Sequence, residues 1–139
     1  MRLMGLDYGN IHVGVALSDE LCVTAYPLEV IKRKDTNKLR KTFARIEELA
    51  REYKVDKIIV GLPLNMDDSE SELSKSVMEF SDNIKRRTGL PVELWDERLS
   101  TFEATDILKE AGVRYQDRKN YIDKIAASFI LRRYMEENM

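Results

Sequence analysis

Asp7, Glu97 and Asp123 are the residues whose types and positions best suit chemistry. In an open α/β sheet, sites form beyond the carboxyl ends of the parallel strands. Two acidic residues fall there from the pattern alone. Asp7 follows the apolar run Arg2 to Leu6, and Glu97 follows Val92 to Trp95 and precedes Ser100, a helix N-cap. Asp123 lies on the flank of a helical stripe made by Ile122, Ala126 and Phe129, from where a carboxylate looks across a helix–sheet boundary. Three carboxylates without a thiol or imidazole suit hard cations such as Mg²⁺ or Mn²⁺. Two such ions about 3.5–4 Å apart activate water and stabilise the leaving oxygen in phosphodiester hydrolysis. Each residue also has a plainer reading. Asp7 is as readily a turn or cap residue as a ligand, Glu97 beside Arg98 reads alternatively as a surface ion pair, and Asp123 as a solvated partner of Lys119 or Lys124.

Composition narrows the alternatives. With one cysteine, Cys22, there is no intrachain disulfide and no cysteine-cluster zinc site. With one histidine, His12, there is no multi-histidine metal site. The chain has 139 residues, one domain's worth, and we read 1–139 as a single domain. It carries 23 Lys plus Arg and 25 Asp plus Glu, a net charge of −2. That excludes a strongly basic protein that coats nucleic acid, but not one that grips it through a local patch. No apolar run approaches the ~18 residues of a membrane span, and Arg2 and Asp7 interrupt the N-terminus too early for a signal peptide. A cytoplasmic protein without a membrane partner is expected.

The elements that must position the carboxylates are legible in outline. Arg2–Leu6 reads as a buried strand, and Gly9 and Asn10 supply turn chemistry. Val13, Val15 and Leu17 alternate with Gly14, Ala16 and Ser18, a strand with one small-residue face. Leu21–Ile31 reads as a third strand, with Pro27 at an edge or bulge. Leu39, Phe43, Ile46, Ala50 and Tyr53 predict a helix over about 36–53. Val55–Val60 is a strand. A capping box, Ser69 to Glu72, opens a helix that stops at Gly89. After the strand Val92–Trp95, a second capping box, Ser100 to Glu103, opens a helix ending at Gly112, and a last helix starts at about Arg118. Strands separated by helices run parallel through right-handed crossovers. The first strand, with a hairpin on one side and βα units on the other, is expected at the centre of a mixed sheet.

Four stretches together resemble the YqgF/RuvX family of pre-16S rRNA nucleases and Holliday-junction-resolvase-like proteins. They are Gly5-Leu6-Asp7-Tyr8-Gly9 with Val13 to Asp19; Val60 to Asp67; Trp95-Asp96-Glu97-Arg98-Leu99-Ser100-Thr101; and Ile122-Asp123-Lys124-Ile125-Ala126-Ala127. The resemblance implies an RNase H-like fold, with a five-stranded mixed sheet and helices on both faces. Its acidic site residues correspond to Asp7, Glu97 and Asp123, which implies one or two Mg²⁺ or Mn²⁺ ions. It also implies cleavage of nucleic acid, with structured RNA, branched DNA and the small-subunit rRNA precursor as candidate partners, for a monomer or homodimer. The sequence departs from the family pattern at His12, where Arg is usual, and at Asp68, where Gly is usual.

Phosphate contacts would come from Arg98, Arg114, Arg118 and Lys119, from His12, and from the clusters Lys32-Arg33-Lys34 and Lys38/Arg40/Lys41. The segment 112–120 reads either as a mobile loop beside the site or as a plain solvated connection. Lys85-Arg86-Arg87 sits where cations favour a helix C-terminus, and its structural reading is preferred. Two rivals to a metal-dependent nuclease stand. One is a nucleic-acid-binding or ribosome-binding module of the same fold. The other is a phosphotransferase, for which 139 residues supply only one of the two domains required.

Overall fold

A computed structural model describes residues 1–9, 12–32, 39–62, 72–96, 112 and 115–139, with backbone alone for 72–73, 96 and 115–124. The strands β1 (Leu3–Tyr8), β2 (His12–Ser18) and β3 (Ala25–Lys32) come first. They are followed by α1 (Arg40–Glu52), β4 (Lys57–Leu62), α2 (Glu72–Thr88), β5 (Val92–Asp96) and α3 (Tyr115–Asn138). The strands form one five-stranded sheet in the order β3-β2-β1-β4-β5, with β1 central as the element order predicts. β1 and β3 pair antiparallel to β2, while β4 runs parallel to both β1 and β5.

Period-2 alternation sends the two sides of the sheet to different helices. Met4, Leu6, Tyr8, Val13, Val15, Ile58 and Val60 pack with Phe43 and Ile46 of α1 and with Phe80 and Ile84 of α2. Phe80 ties this layer together, with its ring 4.4 Å from that of Tyr8 and 5.5 Å from that of Phe43. On the other side Leu3, Ala16 and Ile59 pack with Ala127, Ile130, Leu131 and Tyr134 of α3. The small-residue face anticipated for β2 is therefore the one α3 covers. The contact is tightest at Gly5, where a Cβ would stand 2.9 Å from the Ala127 carbonyl oxygen and 3.0 Å from the Leu131 Cβ. No helix of the described residues is long and apolar enough to cross a membrane.

Four boundaries differ from expectation, two of them for a visible local reason. β1 does not stop at Leu6, because Asp7 and Tyr8 still pair with Gly14 and Val13. β3 starts at Ala25, not Leu21. The Asp19 carboxylate accepts hydrogen bonds from the Val23 and Thr24 amides at 2.8 and 3.1 Å, and Cys22 takes φ +56°, so Leu21–Thr24 turn. Cys22 is accordingly half-buried rather than a core residue. α1 begins at Arg40, and residues 33–38 lie outside the described residues. α3 begins at Tyr115, so most of 112–120 is helix rather than loop. Two expectations hold in detail. Gly89, at φ +72°, ends α2. Pro27 lies on the edge strand β3, where the register slips between Val15 and Ala16.

A bidentate pair ties α1 to β3, with Arg45 Nη2 and Nε donating to the Glu29 carboxylate at 2.7 and 2.9 Å. The guanidinium holds the Glu29 carboxyl below its ordinary range. A depressed carboxylate pKa contributes stability above the unfolded pKa and loses it as pH falls through the folded one. Both side chains are about one-third exposed, which discounts the energy. Glu29→Gln should therefore cost about 0.5–1 kcal/mol near pH 7 and almost nothing around pH 3. Urea unfolding at the two pH values checks this, and an equal deficit at both would mean that the charge contributes nothing.

Candidate active site

Asp7 is the half-buried penultimate residue of the central strand. It shares a face with Leu3 and Gly5, the face that α3 covers. Directly opposite on β2 is Gly14, which contributes no side chain to crowd the carboxylate. Two pairs further, the Gly9 amide donates to the His12 carbonyl oxygen at 2.7 Å. In this register His12 lies two residues from Gly14 on the same strand face, at a diagonal position about 7–8 Å from Asp7 between Cα atoms. His12 is half-buried.

The direction of α3 settles which end of it accompanies Asp7. Tyr134, near its C-terminus, accepts a 2.7 Å hydrogen bond from Lys57 Nζ, and Lys57 is the first residue of β4 and the register partner of Leu3. The same ammonium lies 2.8 Å from Glu93 on β5, and Trp95 meets the Tyr134 ring edge-on at 5.5 Å. The C-terminal half of α3 is thus held at the amino ends of β1 and β4, and α3 runs opposite to β1. From the Gly5–Ala127 contact, Asp123 is one helical turn, about 6 Å, towards the N-terminus of α3. Asp7 is two residues, about 6.6 Å, towards the C-terminus of β1. Both displacements point to the same end of the sheet.

The other anticipated residues divide between two groups. Arg118 and Lys119 are in the first two turns of α3, towards that same end. Glu97, Arg98 and Arg114 lie outside the described residues. Glu97 directly follows Asp96, which ends β5 beside Leu62 at the carboxyl end of the parallel pair. Sequence reasoning missed Gly5 as a positioning residue. Its only signal was a glycine inside a strand, which marks close backbone approach.

Comparison with known proteins shows the family and the fold. A family model described as "RuvX: Holliday junction resolvase" matches residues 1–137. The chain belongs to the RuvX family. A RuvX relative from Lachnospira eligens, named "Putative pre-16S rRNA nuclease", is 57% identical over 136 residues, covering 98% of this chain and 97% of its own. One of the same name from Agathobacter rectalis is 51% identical, covering 98% and 95%. Among solved structures, Thermus thermophilus RuvC in complex with a Holliday junction substrate superposes with a TM-score of 0.61 at 16% identity, covering 99% of this chain and 96% of that one. The fowlpox virus Holliday junction resolvase gives 0.59 at 19%, covering all of both chains. At such identities the likeness concerns the fold alone, and that fold is RNase H-like, as the resemblance in the sequence implied. By family this RuvX chain is a nuclease, a hydrolase of phosphodiester bonds.

Proposed function

We propose that this chain is a divalent-metal-dependent nuclease that hydrolyses phosphodiester bonds in structured RNA. Its biological substrate is the precursor of 16S rRNA, cut in maturation of the 5′ end, in the cytoplasm. Asp7, Glu97 and Asp123 are its site residues. The observation that carries the reading is the approach of α3 to β1 at Gly5, with Asp7 and Asp123 each one short step from it towards the same end. The names of the relatives from Lachnospira eligens and Agathobacter rectalis support the substrate.

The donor set suits Mg²⁺ or Mn²⁺: its ligands are carboxylate oxygens only, and glycine stands opposite Asp7. When bound, one or two such ions supply a water of lowered pKa and charge stabilisation at the phosphate. The chain's own residues do the rest. Asp7, on the central strand and paired with Gly14 of β2, stands on a regular element, as a site of fixed geometry requires. Arg98, Arg114, Arg118 and Lys119 offset phosphate charge and orient the strand. His12, beside Asp7, offers a hydrogen-bond donor to the same phosphate where the family usually carries a guanidinium.

The family description, "Holliday junction resolvase", favours a second reading as an endonuclease of branched DNA. A cleavage panel separates the two. Hairpin RNA carrying a 16S 5′-end precursor sequence, linear duplex DNA and a four-way DNA junction are each incubated with Mg²⁺ and with Mn²⁺. Cleavage of the RNA at least tenfold faster than of the junction is expected. Preference for the junction establishes the second reading, and cutting of neither with either metal leaves a binding module.

A further inference from the structure

The far end of the sheet carries a second cationic site. α1 and α2 both finish there, beside the residues that lead into β4 and β5, and a cleft of about 270 Å³ opens between them. Its floor is apolar, made by Ala50, Val55 and Leu90, and its polar lining is Arg51, Arg87, Thr88 and Glu47. Two guanidiniums against one carboxylate leave it positive.

The helix dipole does not account for this arrangement. The end of α2 is already capped, because the Gly89 amide donates to the Lys85 carbonyl and the Thr88 hydroxyl donates to that of Ile84 at 2.7 Å. Arg87 instead reaches across to α1 and lies over the Phe43 ring at 5.0 Å. A guanidinium resting on a ring keeps its N–H donors directed outwards in its own plane, the geometry that matches a phosphate. Arg51 reaches the same cleft from the last turn of α1. Among the described residues neither arginine takes part in an ion pair. Lys54, Lys85 and Arg86 add exposed positive charge nearby in the chain.

We propose that this cleft is a second phosphate site, in which Arg51 and Arg87 hold a backbone phosphate of a nucleic-acid strand and the sugar rests on the apolar floor. The proposal rests on the nuclease reading for the choice of nucleic acid as ligand. The cleft lies on the α1/α2 side of the sheet and Asp7 on the α3 side, about six strand residues, roughly 20 Å, further along the strand direction. A strand touching both sites therefore passes around the sheet and covers more than about six stacked base steps at 3.4 Å each. The distal contact selects for substrates that extend well beyond the cut and takes no part in the chemistry.

The test is equilibrium binding of a fluorescently labelled RNA hairpin, read by anisotropy over a salt series without divalent metal. Neutralising Arg51 and Arg87 together to Gln should raise Kd about tenfold and flatten the log–log salt slope by about 0.7–0.9, the share of one phosphate. Arg51→Lys with Arg87→Lys, which keeps both charges, should retain most of the slope. Glu47→Gln should act in the opposite sense and tighten binding, a readout that survives should the double variant fold poorly. Arg132→Gln with Arg133→Gln removes the same charge from α3 and should leave the slope within about 0.5 of wild type. An unchanged slope in the Arg51/Arg87 variant, an equal loss in the α3 control, or a wild type that binds no RNA overturns the proposal. Failure of the cleavage reading looks different: wild type then binds with its full slope and does not cut when Mg²⁺ or Mn²⁺ is added.

Discussion

Asp7→Asn is expected to remove nearly all metal-dependent cleavage while leaving the protein folded. Losing one ligand from a carboxylate site removes several kcal/mol of charge stabilisation, or about 10²–10⁴ in turnover. Glu97→Gln and Asp123→Asn should match it, because ligands of one site fail together. Melting curves give the result a second leg that does not depend on activity. Carboxylates gathered without metal repel one another, so metal-free Asp7→Asn should melt no lower than metal-free wild type. A ligand bound only by the native state at tenfold over Kd adds about 1.4 kcal/mol. In a chain of this size that raises the melting temperature by roughly 3–5 °C. Wild type should gain that rise in a Mg²⁺ series at constant ionic strength, and Asp7→Asn should gain little of it. Equal shifts in both proteins, or near-normal turnover in any one variant, would remove that residue from the site.

Gly5→Ala should produce the largest effect of any single methyl group. The added Cβ meets a backbone carbonyl, Ala127 O at 2.9 Å, and a Cβ, Leu131 at 3.0 Å. Neither is the free end of a flexible side chain, so relief requires α3 to move as a body away from β1. Overpacking of this kind costs about 1–3 kcal/mol. The functional loss should exceed the loss of stability, because α3 also carries Asp123. A displacement of about 1 Å in a positioned group is enough to cost 10²-fold. Cleavage measured well below the melting transition separates the two effects. A variant that is fully active and only destabilised would mean that the Gly5 contact secures the fold without setting the site.

How much of this was legible in the chain depends on the range of the interaction concerned. Apolar periodicity is local, so the sequence alone determined the order of the described elements, the parallel and antiparallel partners of β1, and the small-residue face of β2; the helix expected from Ser100 to Gly112 lies outside the described residues. The stop of α2 at Gly89 was equally local, since only glycine takes φ +72° there without strain. So was the candidate trio of Asp7, Glu97 and Asp123, because strand ends and stripe flanks are one-dimensional features; Glu97 itself lies outside the described residues.

Pairing and packing decided the rest. β1 runs on through Asp7 because Gly14 and Val13 continue to offer it hydrogen bonds, a fact no property of Asp7 announces. Leu21–Thr24, as apolar as many strands, turns because the Asp19 carboxylate outcompetes a ladder for the Val23 and Thr24 amides. The cleft of Arg51 and Arg87 joins residues far apart in the chain. Arg87 looks like an ordinary helix-end cation until Phe43 of another helix lies beneath it. Gly5 is a glycine in a strand until α3 crosses it, and the direction of that crossing follows from Tyr134 being held by Lys57 at the opposite end of the sheet. Local propensity is written in neighbouring residues. The identity of the surface that a residue will meet is written only in the fold.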